Sequence, residues 1–522
     1  MKIKSLIATG VAAAFAVAML TGCAAQAPAA SSAAAAVSSA EATQVLSTQA
    51  QTQETAKAPK YVFLFIGDGM SYVQAQTASY YLGAMSADPG AKILEGGKGL
   101  AFMNFPVAGS ASTYDSTSFC PDSASTATSI ASGHKTYSGV INMDENKTTK
   151  FETIAEKLKK QGMKIGVVST VNLNHATPAA FYAHQPSRNN YYQIGQELIA
   201  SGFDYFAGGG LLGTSGDSDP FAKDLYTQAR EGGYKVIASK DEALALKADD
   251  GKALVIGNKL ADSSSLSYDN DRADDELSLA DYVQKGIEVL DNDKGFFMMV
   301  EGGKIDWACH ANDAGSTIAD TIALSNAVDK AVEFYNNHKD ETLIIVTGDH
   351  ETGGLSIGFA GTEYNTFMSN LSNQKISYKK YDTDFVAKYK TEKAPFETVL
   401  ADIKTNFGLI TKEDTEAVAN PESKLILTDY EISQLQAAYD RTMGVVATPM
   451  TDAEKLLYGT YEPLSVTITH ILNNKSGISF TSYAHTGVPV PVFAQGVGED
   501  SFGGFYDNTD IYKKMAALLQ VA

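Results

Sequence analysis

Glu301-x4-Asp306-x3-His310 puts two carboxylates and an imidazole into one short stretch. Asp306 and His310 are four residues apart, so on a helical turn they share a face. A carboxylate and an imidazole at that spacing suit Zn²⁺. Asp349-His350 is a second such pair, Asp68 follows an apolar run, and His485 stands among small residues in Ala484-His485-Thr486-Gly487. Each group alone is common on protein surfaces. A nucleophile candidate lies in Cys120-Pro121-Asp122-Ser123-Ala124, ahead of small helix-compatible residues up to Ser132. A serine at a helix N-terminus suits an anion. The same Asp122-Ser123 pair also serves as a plain helix cap.

What gives these groups weight is the pattern of elements around them. Residues 60–66 (KYVFLFI), 164–169 (KIGVVS), 295–300 (GFFMMV) and 342–346 (TLIIV) are apolar runs that read as buried strands. Helical spacing recurs at 151–161, 277–290 and 322–336. Buried strands alternating with helices predict an α/β fold, a three-layer sandwich with a largely parallel central sheet flanked by helices. Ligand sites in such sheets lie beyond the strand C-termini. Asp68, Glu301, Asp306, His310, Asp349 and His350 all follow strands and so collect at one edge. Crowded carboxylates there need a cation to relieve their repulsion.

Residues 362–477 are richer in charge and carry several capped helices. These include one after Pro395 that stops at Gly408, and one opened by the capping box Thr428-Asp-Tyr-Glu431. They read as an inserted, mainly helical cap. The chain then returns to the core at 478–483, and 263–276 reads as an exposed loop.

The 522 residues carry 41 Lys+Arg against 61 Asp+Glu, a net charge of −20 that repels phosphate backbones, so no nucleic-acid partner is expected. With 44% hydrophobic and 20% charged residues, the chain is neither disordered nor fibrous. Its one long apolar run is N-terminal, which excludes a multi-span transporter. Lys2 and Lys4 precede apolar residues 6–20, and Leu20-Thr21-Gly22-Cys23 is similar to a bacterial lipobox. Residues 1–22 are therefore expected to be a lipoprotein signal peptide with Cys23 lipidated. Residues 23–59, rich in Ala, Ser, Thr and Gln, form a flexible tether spanning about 30–35 Å, and 60–522 the catalytic domain. Such a protein is exported and anchored by lipid to the membrane surface of a bacterial cell envelope.

In family order, the motifs resemble the alkaline phosphatase family. Its first metal strand resembles Phe65-Ile66-Gly67-Asp68-Gly69-Met70, and its Asp-Ser-Ala resembles Asp122-Ser123-Ala124 through Thr128. Ala176-Thr177-Pro178-Ala179-Ala180 through Arg188, Val300 to His310, Thr347-Gly348-Asp349-His350 and His485 to Gly487 match its remaining motifs. The resemblance implies hydrolysis of small phosphomonoesters through a phosphoserine on Ser123, with Arg188 holding the phosphate. It implies two Zn²⁺, one on Asp306, His310 and His485, the other on Asp68, Asp349 and His350. It also implies one Mg²⁺ on Asp68, Thr177 and Glu301, and allows a homodimer. Where the best-known bacterial members have an Asp and a Lys near the Mg²⁺, His175 and Trp307 stand here, as in other bacterial members. His175 is also a possible metal ligand. Cys120 and Cys309 do not align with the structural disulfides of the enterobacterial type and are expected to be free thiols. His134, His184, His338 and His470 match no ligand position. The rival readings are a related phosphodiesterase and a non-catalytic surface lipoprotein that captures metal or phosphate.

Overall fold

The computed structural model describes residues 58–86, 96–97, 99–216 and 222–521. The expected signal peptide, Cys23 and all but the last two residues of the expected tether lie outside the described residues. Fourteen strands are present among the described residues: β1 (Tyr61–Gly67), β2 (Val107–Ser112), β3 (Lys164–Ser169), β4 (Tyr205–Gly208), β5 (Lys235–Ile237), β6 (Ala253–Ile256), β7 (Phe296–Gly302), β8 (Thr342–Gly348), β9 (Glu351–Thr352), β10 (Ser356–Ile357), β11 (Ile478–Ser479), β12 (His485–Thr486), β13 (Val490–Gly496) and β14 (Gly504–Asp507). Ten form one sheet in the order β14-β2-β13-β8-β1-β7-β3-β4-β6-β5, in which only β13 runs against its neighbours.

The central strands β1, β7 and β8 are buried at every position and mostly apolar because both sheet faces are covered. Tyr61, Phe63 and Phe65 of β1 join Phe296, Met298 and Ile344 in a core under the helices Leu279–Leu290 and Ala314–Asn337. Val62, Leu64 and Ile66 join Phe297, Met299 and Ile345 under the helices Ser123–Ser132, Ile154–Gln161 and Thr509–Leu518. The expected three-layer α/β architecture is the one observed.

Register decides where the chemistry goes. Gly67 of β1 pairs with Gly302 of β7 and with Gly348 of β8, so the three strands end level. Asp68 and Asp349 are each the next residue, and Glu301 sits one residue inside, opposite Ser169 of β3. A Cβ on Gly348 would lie 1.9 Å from the Met70 carbonyl oxygen, so only glycine lets the turn after β1 close over the end of β8.

Residues 478–483 return to the core, where Ile478 is fully buried and Phe480 packs, although β11 pairs with β10 outside the main sheet. The strand beside β8 is β13, whose Pro491 lacks an N–H and disguises it in sequence. Residues 263–276 are not simply an exposed loop. Ser265 and Tyr268 are buried, and the Tyr268 ring covers the Lys304 ammonium at 3.8 Å. Residues 362–477 are mainly helical, and the Thr428 capping box forms, with Glu431 N–H donating to Thr428 Oγ1 at 3.2 Å. Their apolar side chains, among them Val399, Leu435 and Leu472, merge with the first core.

Candidate active site

Ser123 is the first residue of the helix Ser123–Ser132, and Asp122 caps it by accepting from Ser125 N–H at 3.1 Å. Small residues allow this helix to be buried along its whole length against the sheet. The cap and site readings of this motif therefore coexist. Ser123 Oγ lies 3.1 Å from His350 Nε2. Arg188 reaches the same corner and donates to Asp122 Oδ2 at 2.8 Å and to His175 Nε2 at 3.1 Å. Burial pushes the Asp122 carboxyl up, but the Arg188 guanidinium and the Gly139 and Ser125 N–H groups together hold it below its ordinary value.

Three groups of ligand atoms converge beside Ser123: Asp306, His310 and His485; Asp68, Asp349 and His350; and Asp68, His175 and Glu301, each within 4.8 Å. Thr177 Oγ1 donates to Asp68 Oδ2 at 3.3 Å and so borders the third group. In the first group the rings are aimed by their far nitrogens. His310 Nδ1 donates to the Tyr483 carbonyl at 2.6 Å, and His485 Nδ1 donates to the Pro121 carbonyl. The lone pairs are then on the two Nε2 atoms, which face each other at 3.1 Å, with Asp306 Oδ1 at 3.4 and 3.6 Å. Facing lone pairs repel unless a cation lies between them. In the second group, Asp349 Oδ1 accepts from Gly69 N–H at 3.2 Å, and His350 Nε2 lies 3.3 Å from Asp68 Oδ1. Asp68 Oδ1 and Glu301 Oε1 are buried without a hydrogen-bond partner. Oxygen donors of this kind fit hard divalent cations, and the imidazole-rich groups fit zinc.

His175 is placed differently from a simple ligand. Burial, then Arg188, lowers its pKa to about 3, so the ring is neutral. Arg188 donates to Nε2, which leaves the ring proton on Nδ1 and gives His175 a hydrogen-bonding role. Trp307 packs against a buried cluster that includes Tyr268 and Tyr378, with its ring 6.0 Å from that of His175. It joins the helical segment to the site. Cys120 and Cys309 are both free. His134, His184 and His338 lie against Phe151, Phe151 and Phe334, away from the three groups.

Several supporting residues escaped the sequence. Thr352 Oγ1 donates to Asp306 Oδ1 at 2.5 Å and lies 3.2 Å from His350 Nδ1. Ser169 Oγ donates to Glu301 Oε2. Asp115 accepts from Ser125 Oγ at 2.8 Å and from Thr117 and Ser118 N–H, which fixes the loop ahead of Asp122. Ser169 was findable, because it ends a strand as Glu301 nearly does. Thr352 lies in the two-residue strand β9 and Asp115 in an irregular segment, neither with a sequence pattern.

Burial, followed by the neighbouring carboxylates, raises Asp349 to about 8. Burial raises Glu301 to about 7. In the unfolded chain such groups titrate near ~4. Metal-free folded protein therefore binds more protons between these values, and its stability falls as pH rises through that window. His175 and His470, neutral in the fold, act in the opposite sense below about pH 6.5. The melting temperature of EDTA-treated protein is therefore expected to drop from about pH 7 to pH 8, while the metal-loaded protein changes less. A metal-free melting temperature that is flat or rising over that range would contradict this reading.

A serine at a helix N-terminus, a guanidinium beside it and convergent metal donors at the ends of a parallel sheet define a phosphatase. A family model described as alkaline phosphatase matches residues 59–208 and 212–521. Alkaline phosphatase 4 of Bacillus subtilis (strain 168) is 32% identical, with 90% of this chain and 91% of that protein covered. Alkaline phosphatase 3 of the same organism is 31% identical, with 90% and 92% covered. The crystal structure of a cold-active alkaline phosphatase from the psychrophile Shewanella sp. superposes with a TM-score of 0.71 at 30% identity, covering 88% of this chain and 99% of that one. The chain belongs to the alkaline phosphatase family.

Proposed function

We propose that this protein hydrolyses small phosphate monoesters through a phosphoserine on Ser123, with Zn²⁺ held by Asp306, His310 and His485, a second Zn²⁺ by Asp68, Asp349 and His350, and Mg²⁺ by Asp68, Thr177 and Glu301. The observation that carries this reading is that the donor atoms cluster in three groups, two of them sharing Asp68, and that His350 Nε2 of one group lies 3.1 Å from Ser123 Oγ. When bound, the metals supply Lewis-acid charge that lowers the pKa of an attacking hydroxyl and stabilises a leaving oxygen. The chain's own residues do the rest. Ser123 Oγ attacks phosphorus, the P–O bond to the alcohol breaks, and the alcohol leaves with a proton. Water then attacks the phosphoserine and releases inorganic phosphate and the serine hydroxyl. Arg188, oriented by Asp122, presents a planar fork to two phosphate oxygens. The helix N-terminus at Ser123 adds partial positive charge. We further propose that Cys23 anchors the exported protein to a bacterial membrane by lipid.

The guanidinium and three cation sites favour a dianionic monoester over a monoanionic diester. Hydrolysis of p-nitrophenyl phosphate is expected to exceed that of bis(p-nitrophenyl) phosphate by orders of magnitude. Arg188→Ala is expected to raise KM and the phosphate inhibition constant by about 10- to 100-fold, the worth of a bidentate charged hydrogen bond. Faster diester hydrolysis would assign the site to a phosphodiesterase.

A further inference from the structure

His310 and His485 reach one point from two different segments, and a single side chain ties those segments together. Asn312, two residues past His310, is buried and holds φ at 51°, a conformation uncommon for a side-chain-bearing residue. Its Nδ2 donates to the Cys309 carbonyl at 2.9 Å, at the end of the helix Lys304–His310, and to the Ser482 carbonyl at 2.8 Å. Ser482 precedes Tyr483, whose carbonyl aims His310, and lies three residues before His485. Asn312 is itself gripped by the helix Pro463–Ser476. His470 Nε2 donates to its Oδ1 at 3.0 Å, and Asn473 Nδ2 donates to its carbonyl at 2.7 Å. Burial lowers the His470 pKa to about 4, so at neutral pH the ring is uncharged; it donates to Asn312 and lies 6.0 Å from the Tyr483 ring.

We infer that Asn312, clamped by His470 of the helical segment, is a positioning residue that holds His310 and the loop bearing His485 at the spacing one cation needs. This rests on the reading of Asp306, His310 and His485 as a zinc site. It also gives the helical segment a role in the chemistry: it holds the metal ligands from outside the sheet. Neighbours that orient ligands typically affect metal affinity by about 10- to 100-fold.

Asn312→Gly is the sharpest variant, because glycine takes the positive φ without cost and only the side chain is lost. Asn312→Asp keeps an acceptor for His470 but loses the donor to Ser482. His470→Ala removes the outer grip and leaves Asn312 in place. The readouts are the dissociation constant of the zinc ion that His310→Ala loses, by competition with a chromophoric chelator, and the melting temperature of the metal-free protein. Both Asn312 variants are expected to weaken that zinc by about 10-fold, and His470→Ala by about 3-fold. Zinc affinity within about two-fold of wild type in Asn312→Gly and His470→Ala, with only the metal-free melting temperature lowered, would overturn the proposal. If Asn312→Gly does not fold, His470→Ala decides alone by the same criterion. Wild-type protein that binds no zinc would instead overturn the site reading beneath it.

Discussion

Ser123→Ala is expected to lower kcat for p-nitrophenyl phosphate on the order of 10³-fold, because the hydroxyl that takes the phosphoryl group is gone. The fold should not register the change. Alanine is the best helix former, the position is the first of a helix, and only one oxygen is removed. Zinc content and melting temperature should stay near wild type, so the loss is chemical and not structural. Acid-quenched wild-type protein should carry a covalent phosphoryl group on the peptide containing Ser123, and the variant should carry none. A variant that keeps more than about a tenth of wild-type kcat would mean that water attacks directly and Ser123 is only the first residue of the helix.

His310→Ala is expected to have the next largest effect. It removes one of three donors, leaving Asp306 and His485 to hold the cation. Zinc affinity at that group should fall by at least about 100-fold, more than the loss of an outer-shell partner. Turnover should fall on the order of 10³-fold and recover partly with added zinc. The metal-free protein should behave differently. Without a cation, the two Nε2 lone pairs oppose each other at 3.1 Å, so their separation offsets much of the lost packing. Unchanged zinc stoichiometry together with near-normal turnover would show that His310 is not a ligand.

The sequence was most informative where strands are buried on both faces. Those strands are mostly apolar, so an acidic residue at or just past an end is conspicuous. Asp68 and Asp349, just past their strands, and Glu301, at the last position but one of β7, were legible for that reason, and the level register of β1, β7 and β8 brings them together. His485 was legible only through its motif, because it arrives by a loop after more than a hundred residues of other structure. Pro491 concealed β13, since a proline at a ladder position argues against a strand unless the missing N–H faces no partner. Thr352, Asp115 and Asn312 were invisible for a different reason. Thr352 and Asn312 act through side-chain hydrogen bonds across long sequence separations and Asp115 through a loop of irregular geometry, and neither periodicity nor composition encodes such pairings. His175 was legible as a residue close to the site, but not in its role, which depends on which ring nitrogen Arg188 reaches.

Metal held by these three groups is proposed to drive monoester hydrolysis at Ser123. The most direct test is p-nitrophenyl phosphate hydrolysis at alkaline pH, before EDTA, after EDTA, and after Zn²⁺ and Mg²⁺ are restored. Activity is expected to disappear with EDTA and to return only with metal. Undiminished hydrolysis by protein shown to be metal-free, or none by folded protein shown to be zinc-loaded, would contradict it.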